Sequence, residues 1–243
     1  MSRRYLIFIS VLTYLTCYSK SIRAQDIKDI NNQYWIDFIP HFGISDAFEF
    51  YGDATFRISD NGNHKKYGIR PSIKLQASPI FSIHLGLGLF YNALSDTNNI
   101  LEIRPWEGLR IGWPNINGLN FKHYLRIEQR AYIYEGDEQK LFLHRARYKL
   151  KIKVPLNKKV VQDKTVYLPL AYEWLATADD EFETMWASQS RGTAGIGYVF
   201  NKKWIFEFEY MHWWSKNTPN ASFEATDQIF RLRLLRNGWT LGE

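Results

Sequence analysis

YLRIEQRAYIY, residues 124–134, carries a charge at every second position: Arg126, Glu128 and Arg130. Between them fall Leu125, Ile127, Ala131 and Ile133, with Gln129 as the polar break in the apolar series. A strand sends successive side chains to opposite faces, so this stretch has one apolar face and one Arg-Glu-Arg face. The fold turns on which of the two meets water.

Working outward, the same alternation recurs along most of the chain. In 47–59, Phe48, Phe50, Ala54, Phe56 and Ile58 oppose Glu49, Tyr51, Asp53, Thr55 and Arg57. In 80–93, Phe81, Ile83, Leu85, Leu87, Leu89 and Tyr91 oppose Ser82, His84, Gly86, Gly88 and Asn92. In 141–154, Arg145, Arg147, Lys149, Lys151 and Lys153 share one face. Similar segments lie at 34–43, 65–77, 100–113, 165–176, within 183–200, and at 203–214 and 227–239, about eleven strands in all. Turn-rich pieces such as NGNHK, SDTNN, PNING, EGDEQ and SKNTPNASFEATD separate them, and helical periodicity is absent after the first residues.

The chain opens with Arg3 and Arg4, an apolar run from Tyr5 to about Leu15, and a short polar region. That layout reads as a secretory signal peptide over 1–24, cleaved after Ala24. The run is far short of the ~20 residues a spanning helix needs. A lipoprotein signal ending at Cys17 is the weaker alternative, because Thr16 is a poor neighbour for the modified residue. Of 31 Lys and Arg, Arg3, Arg4, Lys20 and Arg23 leave with the leader. The remaining 27 stand against 25 Asp and Glu, a net of +2, so there is no whole-chain charge case for nucleic-acid binding. The one Cys excludes a disulfide framework.

Soluble sandwiches alternate too, so three further features decide the solvent question. Several segments run eleven residues or more, against about five or six in a usual strand and about nine to eleven in a tilted membrane-spanning one. Aromatics gather near segment ends, at Trp35, Trp113, Tyr132, Trp174, Trp204, Trp213 and Trp214, as girdles at two bilayer interfaces would. The leader supplies the export route. Residues 25–243 are therefore expected to form a single all-β domain, a closed up-and-down antiparallel transmembrane barrel of about 10–12 strands in the outer membrane. Evenness favours ten or twelve over the eleven counted. The short connections at 44–46 and 78–79 suit periplasmic turns; those near 94–99, 177–182 and 215–226 suit external loops.

Four pieces in fixed order, EIRPW (102–106), RIEQR (126–130), RARYKL (145–150) and the YEW around Glu173, carry a resemblance. The chain resembles an uncharacterised group of bacterial outer-membrane β-barrels, a domain of unknown function. The resemblance implies fold and location and supplies no substrate or catalytic residue.

The polar rows point inward on this register. Glu102, Arg104, Arg126, Glu128, Arg130, Arg145, Arg147, Glu173, Arg191, Glu207, Glu209, Arg231 and Arg233 form a lumen charge set whose members can pair across neighbouring strands. One reading is structural, ion pairs holding a small barrel together. The other is a charge-lined passage for small polar or anionic solutes. Neither is enzymatic. Every carboxylate has an Arg nearby to keep it ionised, which suits a scaffold better than a proton donor. An outer-membrane lipid hydrolase is the alternative, without a GxSxG signature. The six His residues show no metal spacing, and no cofactor is expected. Expected partners are outer-membrane lipid, the barrel-assembly machinery and small polar solutes. Glu107 breaks the pattern, since alternation turns it toward lipid.

Overall fold

The computed structural model describes residues 30–138, 140–178 and 185–240, with the side chains of 239 and 240 left aside. The leader and its cleavage site lie outside the described residues.

Thirteen strand segments are present among the described residues. They are β1 (Asn31–Gly43), β2 (Phe48–Tyr51), β3 (Ala54–Ser59), β4 (His64–Ile69), β5 (Ser72–Gln76), β6 (Phe81–Leu94) and β7 (Ile100–Gly112). They continue with β8 (Asn120–Tyr134), β9 (Lys140–Pro155), β10 (Thr165–Ala178), β11 (Trp186–Val199), β12 (Trp204–Ser215) and β13 (Glu224–Thr240).

Two pairs of these are halves of one stave. β1 runs antiparallel to both β2 and β3, and β6 to both β4 and β5. The interruptions fall at Gly52-Asp53 and Arg70-Pro71, where proline has no N–H to give the ladder. Arg70 and Asp53 nonetheless exchange backbone hydrogen bonds of 2.8 and 3.3 Å across the gap. Eleven staves result. Successive staves pair antiparallel all the way round, and β1 then pairs with β13 to close the ring.

That last seam is parallel, from Asn31↔Asp227 to Gly43↔Thr240. The expectation of an even number and a purely antiparallel ladder is thus corrected. With an odd count of alternating strands the first and last must run the same way, so closure requires one parallel seam. A closed ring leaves no row of unpaired N–H and C=O groups. It also puts the start of β1 and the end of β13 at opposite mouths. The connections at 60–63, 95–99 and 216–223 lie at the mouth where β1 begins, and those at 44–47, 77–80, 113–119, 156–164 and 200–203 at the mouth where β13 ends.

The outer face is apolar. Leu85 is 62% exposed, Ile36 55% and Leu125 43%, and Ile73, Phe208 and Leu232 share that face, with Phe50 and Leu150 half-buried on it. The inner face carries the opposite parity, with Glu102, Glu128 and Glu207 fully buried inside. Large interior rings are accommodated by glycines on neighbouring strands. A Cβ on Gly86 would lie 2.5 Å from the Trp106 ring and 2.7 Å from Ser72, so this wall position has room for hydrogen alone.

Candidate functional site

The interior is built from charges on every second residue of adjacent strands, and cross-strand register decides which of them meet. Glu128 on β8 lies directly opposite Arg145 on β9, and the Arg145 Nε donates to it at 2.8 Å. Arg126 Nη1 at 3.4 Å and Arg104 Nη1 at 3.6 Å complete a three-arginine shell around this carboxylate. Glu102 on β7 accepts from Arg104 Nη2 at 2.5 Å, Arg130 Nε at 2.7 Å and Lys66 Nζ at 2.9 Å. Arg104 therefore joins two clusters. Arg147 binds Glu173 instead of Glu128, and Arg191 Nη1 reaches the same Glu173 at 3.3 Å.

A further cluster sits near the parallel seam. Glu207 pairs with Arg233, with Lys153 at 3.1 Å and Lys151 at 3.3 Å, and accepts from the Tyr167 hydroxyl at 2.6 Å. Glu209 takes Arg233 at 3.3 Å and Arg231 at 3.5 Å. Asp37 on β1 binds Arg231 and accepts from the Thr55 hydroxyl at 2.6 Å. These groups form a septum across mid-barrel: Asp37, Glu128, Arg126, Arg145, Arg191, Glu209 and Arg231 are all buried. Removing one partner from such a set leaves an uncompensated buried charge.

On either side of the septum lies a cavity. Toward the mouth where β1 begins, a space of about 220 Å³ is lined by Arg57, Lys66, Arg70, Arg104, Arg130, Arg145, Arg147 and Arg191, and by no carboxylate. Toward the other mouth, about 360 Å³ is lined by Lys74, Arg110, Lys122, Arg126, Lys149, Lys151, Lys153, Arg231 and Arg233, with Glu49 and Asp53 the acids present. Arg70 and Arg147 line both cavities and so mark the narrows between them. None of the septum carboxylates lines either cavity, so the free space is bordered by an excess of cation. The free space inside is thus strongly positive. Acids such as Asp46, Asp60, Asp96, Glu135 and Asp163 stand in the connections instead.

All thirteen charged residues expected inside do lie there. Asp37, Arg57, Lys66, Arg70, Arg110, Lys122, Lys149, Lys151 and Lys153 face inward as well and are not among those thirteen. The signal was present in the every-second-residue row of β9, but a ladder of like charges shows no partner on its own strand.

The aromatic positions divide. Trp113 and Trp174 are 46% exposed on the outer face, and Trp204 and Trp214 are half-buried on it. Trp35, Trp213 and Tyr132 are corrections, for they point inward. Trp35 meets Trp213 edge-on at 5.5 Å, Arg57 stacks over Trp35 at 3.7 Å, and Arg191 over Trp213 at 3.6 Å. Arg130 lies 4.9 Å above Tyr132. A ring face attracts a guanidinium, so an arginine-rich interior holds these aromatics as firmly as a bilayer surface would. Glu107 is exposed on the outer face, where Gln129 of the next strand donates to it at 3.2 Å. The two breaks in the pattern thus satisfy each other.

Ser82 and His84 approach to 3.3 Å inside the barrel. His84 is fully buried among the Tyr51, Trp106 and Tyr124 rings, and its Nδ1 has no hydrogen-bond partner, so no carboxylate orients the imidazole. Among the described residues no group of three His, Cys, Asp or Glu side chains is placed to hold a metal ion.

Set beside known proteins, residues 32–224 match a family described as "Protein of unknown function (DUF2490)". Among solved structures, the siderophore receptor PirA from Pseudomonas aeruginosa is similar at 7% sequence identity and a TM-score of 0.33, covering 71% of this chain and 33% of that one. The chain thus spans about a third of the receptor's length. No curated protein matches.

Proposed function

This chain belongs to the DUF2490 family of proteins of unknown function, and on that premise we propose that it is an integral outer-membrane barrel whose interior accepts small anionic solutes. The outward apolar face and strands of 12–17 residues outside the two broken staves suit a bilayer, where a tilted strand needs about nine to eleven. The leader read from residues 1–24 suits delivery to that membrane. The observation that carries the solute class is the cavity near the start of β1, with eight basic side chains and no carboxylate on its wall. Rings of charged side chains set selectivity in pores, and positive ones favour anions.

The septum bears on how such a barrel works. Its ion pairs fill the middle, so the resting state is a poor conductor, and passage requires Arg70 and Arg147 to shift at the narrows. On this reading the turns at 44–47 and 77–80 face the periplasm.

Reconstitution into planar bilayers under a potassium chloride gradient tests this. A small conductance with a reversal potential on the anion side is expected; cation preference, or no conductance with or without applied voltage, overturns the solute reading. Phospholipid hydrolysis measured in the same preparation addresses catalysis. Turnover above that of protein-free vesicles would favour a lipid hydrolase.

A further inference from the structure

Three pairs of like charges stand directly opposite each other on the inner face: Arg57↔Lys66, Arg126↔Arg147 and Lys122↔Lys151. Like charges so placed repel, and a folded protein relieves the repulsion with counter-charges. Lys66 has Glu102, and Arg57 has the Trp35 ring. Arg126 has Glu128, and Arg147 has Glu173. Lys151 has Glu207. Lys122 has none: among the described residues no carboxylate lies within 4 Å of it and no ring lies under it.

Lys149 also has no carboxylate within 4 Å among the described residues, although Glu173 is near enough to act on its charge. It stands opposite Glu173 across the β9–β10 ladder, but Arg147 and Arg191 occupy that carboxylate. Arg110 is likewise without a carboxylate. Its guanidinium rests between the Tyr51 and Tyr124 rings, 4.7 and 5.5 Å from their centroids, which holds its position without pairing it to a carboxylate, since Glu49 on the same wall is bound by Lys74. All three line the cavity of about 360 Å³ near the end of β13.

We infer that this cavity is a binding site for a polyvalent oxyanion of the phosphate class, held by Lys122, Lys149 and Arg110. Cations that line one cavity with no carboxylate paired to them suit a ligand that brings several negative oxygens at once, and two ammonium groups with a guanidinium supply enough donors to hold more than one of them. A monovalent halide offers a single charge and no directional acceptors. The volume falls at the lower end of ordinary small-ligand pockets. The septum closes the cavity's inner side, so the site is reached from the mouth where β13 ends. The inference rests on the reading of the interior as anion-accepting, and adds a class of ligand and a place.

Inorganic pyrophosphate is the probe, titrated calorimetrically into the intact barrel in neutral detergent at low salt. It is expected to bind more tightly than phosphate, and phosphate more tightly than chloride, with affinity falling as salt is raised. Lys122→Gln and Lys149→Gln should each weaken pyrophosphate by about tenfold or more, the loss of one charge-assisted hydrogen bond. Lys122→Arg should retain binding. Lys158→Gln removes a charge from an exposed connection at the same mouth and should leave affinity unchanged. Electrophoretic mobility of the unheated variants reports that each barrel is folded. Pyrophosphate binding no tighter than chloride, or equal in wild type and both Gln variants, overturns the site even if the bilayer currents stay anion-selective. Tight, Lys122-dependent binding without any current upholds the site and removes the passage instead.

Discussion

The septum and the chamber beside it use the same residue types on the same strands, yet they differ in what stands opposite each charge. In the septum, register sets unlike charges face to face: Glu128↔Arg145, Glu173↔Arg191, Glu207↔Arg233 and Glu209↔Arg231. In the chamber it sets Lys122 against Lys151 and Arg110 against Tyr124, and the Glu173 opposite Lys149 is already bound by Arg147 and Arg191. The septum is charge-paired; the chamber carries an excess of cation. Composition cannot distinguish the two. Only the offset between neighbouring strands does.

The largest test of that contrast removes the centre of the septum. Glu128→Gln strips the counter-charge from Arg126 and Arg145 and one of two from Arg104, and should cost about 3–5 kcal/mol, read by urea unfolding of the barrel in lipid vesicles. Adding Arg145→Gln should restore part of the loss, since directly coupled partners are not additive. A loss near that of an exposed pair, about 0–1 kcal/mol, would mean that water reaches the septum and that it resembles the chamber after all.

The outer wall comes next. Leu125 borders Arg126 in sequence but faces the other way, 43% exposed. Leu125→Arg should cost about 2–4 kcal/mol if the belt lies in hydrocarbon near its midplane. The same substitution in detergent micelles, where the head can reach water, should cost visibly less. Equal stability in both media would contradict a lipid-facing wall.

Packing inside the wall is the third test. Gly86→Val puts atoms where the Trp106 ring and Ser72 already stand, and overpacking of this kind costs about 1–3 kcal/mol. Near-ultraviolet circular dichroism should also change as Trp106 moves. Gly43, whose added Cβ would meet nothing within 4 Å, serves as the control, and Gly43→Ala should leave both readings unaltered.

The smallest expected effect has the opposite sign. Lys122→Gln removes one side of a like-charge pair, so stability should rise by a few tenths of a kcal/mol in phosphate-free buffer. The gain should shrink as salt screens the repulsion. A loss comparable to that of Glu128→Gln would show that Lys122 has a counter-charge and belongs with the septum.

Much of the barrel was legible in YLRIEQRAYIY and its kin. Strict alternation over eleven or more residues gives the strand, its two faces and the sidedness of Arg126, Glu128 and Arg130, because the side-chain period of a strand is two. The same parity placed Tyr132 with Arg130 and Trp213 with Glu207 and Glu209. Nearness to strand ends suggested the bilayer surface for these rings, but a guanidinium inside competes for the same aromatic face. Trp213 inside and Trp214 outside follow the same alternation, and opposite them β13 carries one extra residue, Thr226.

The sequence by itself determined the class of fold, the apolar outside and the charged inside, since each is a property of one strand read along its own length. What only the tertiary structure decided lies between strands. Closure by a parallel seam followed from the odd number of staves, which no single strand records. The choice of Glu173 over Glu128 as the partner of Arg147, the isolation of Lys122, and the confinement of positive charge to two cavities came from relative register. A shift of two residues between neighbours would have exchanged partners on the inner face while keeping every side chain on its own side.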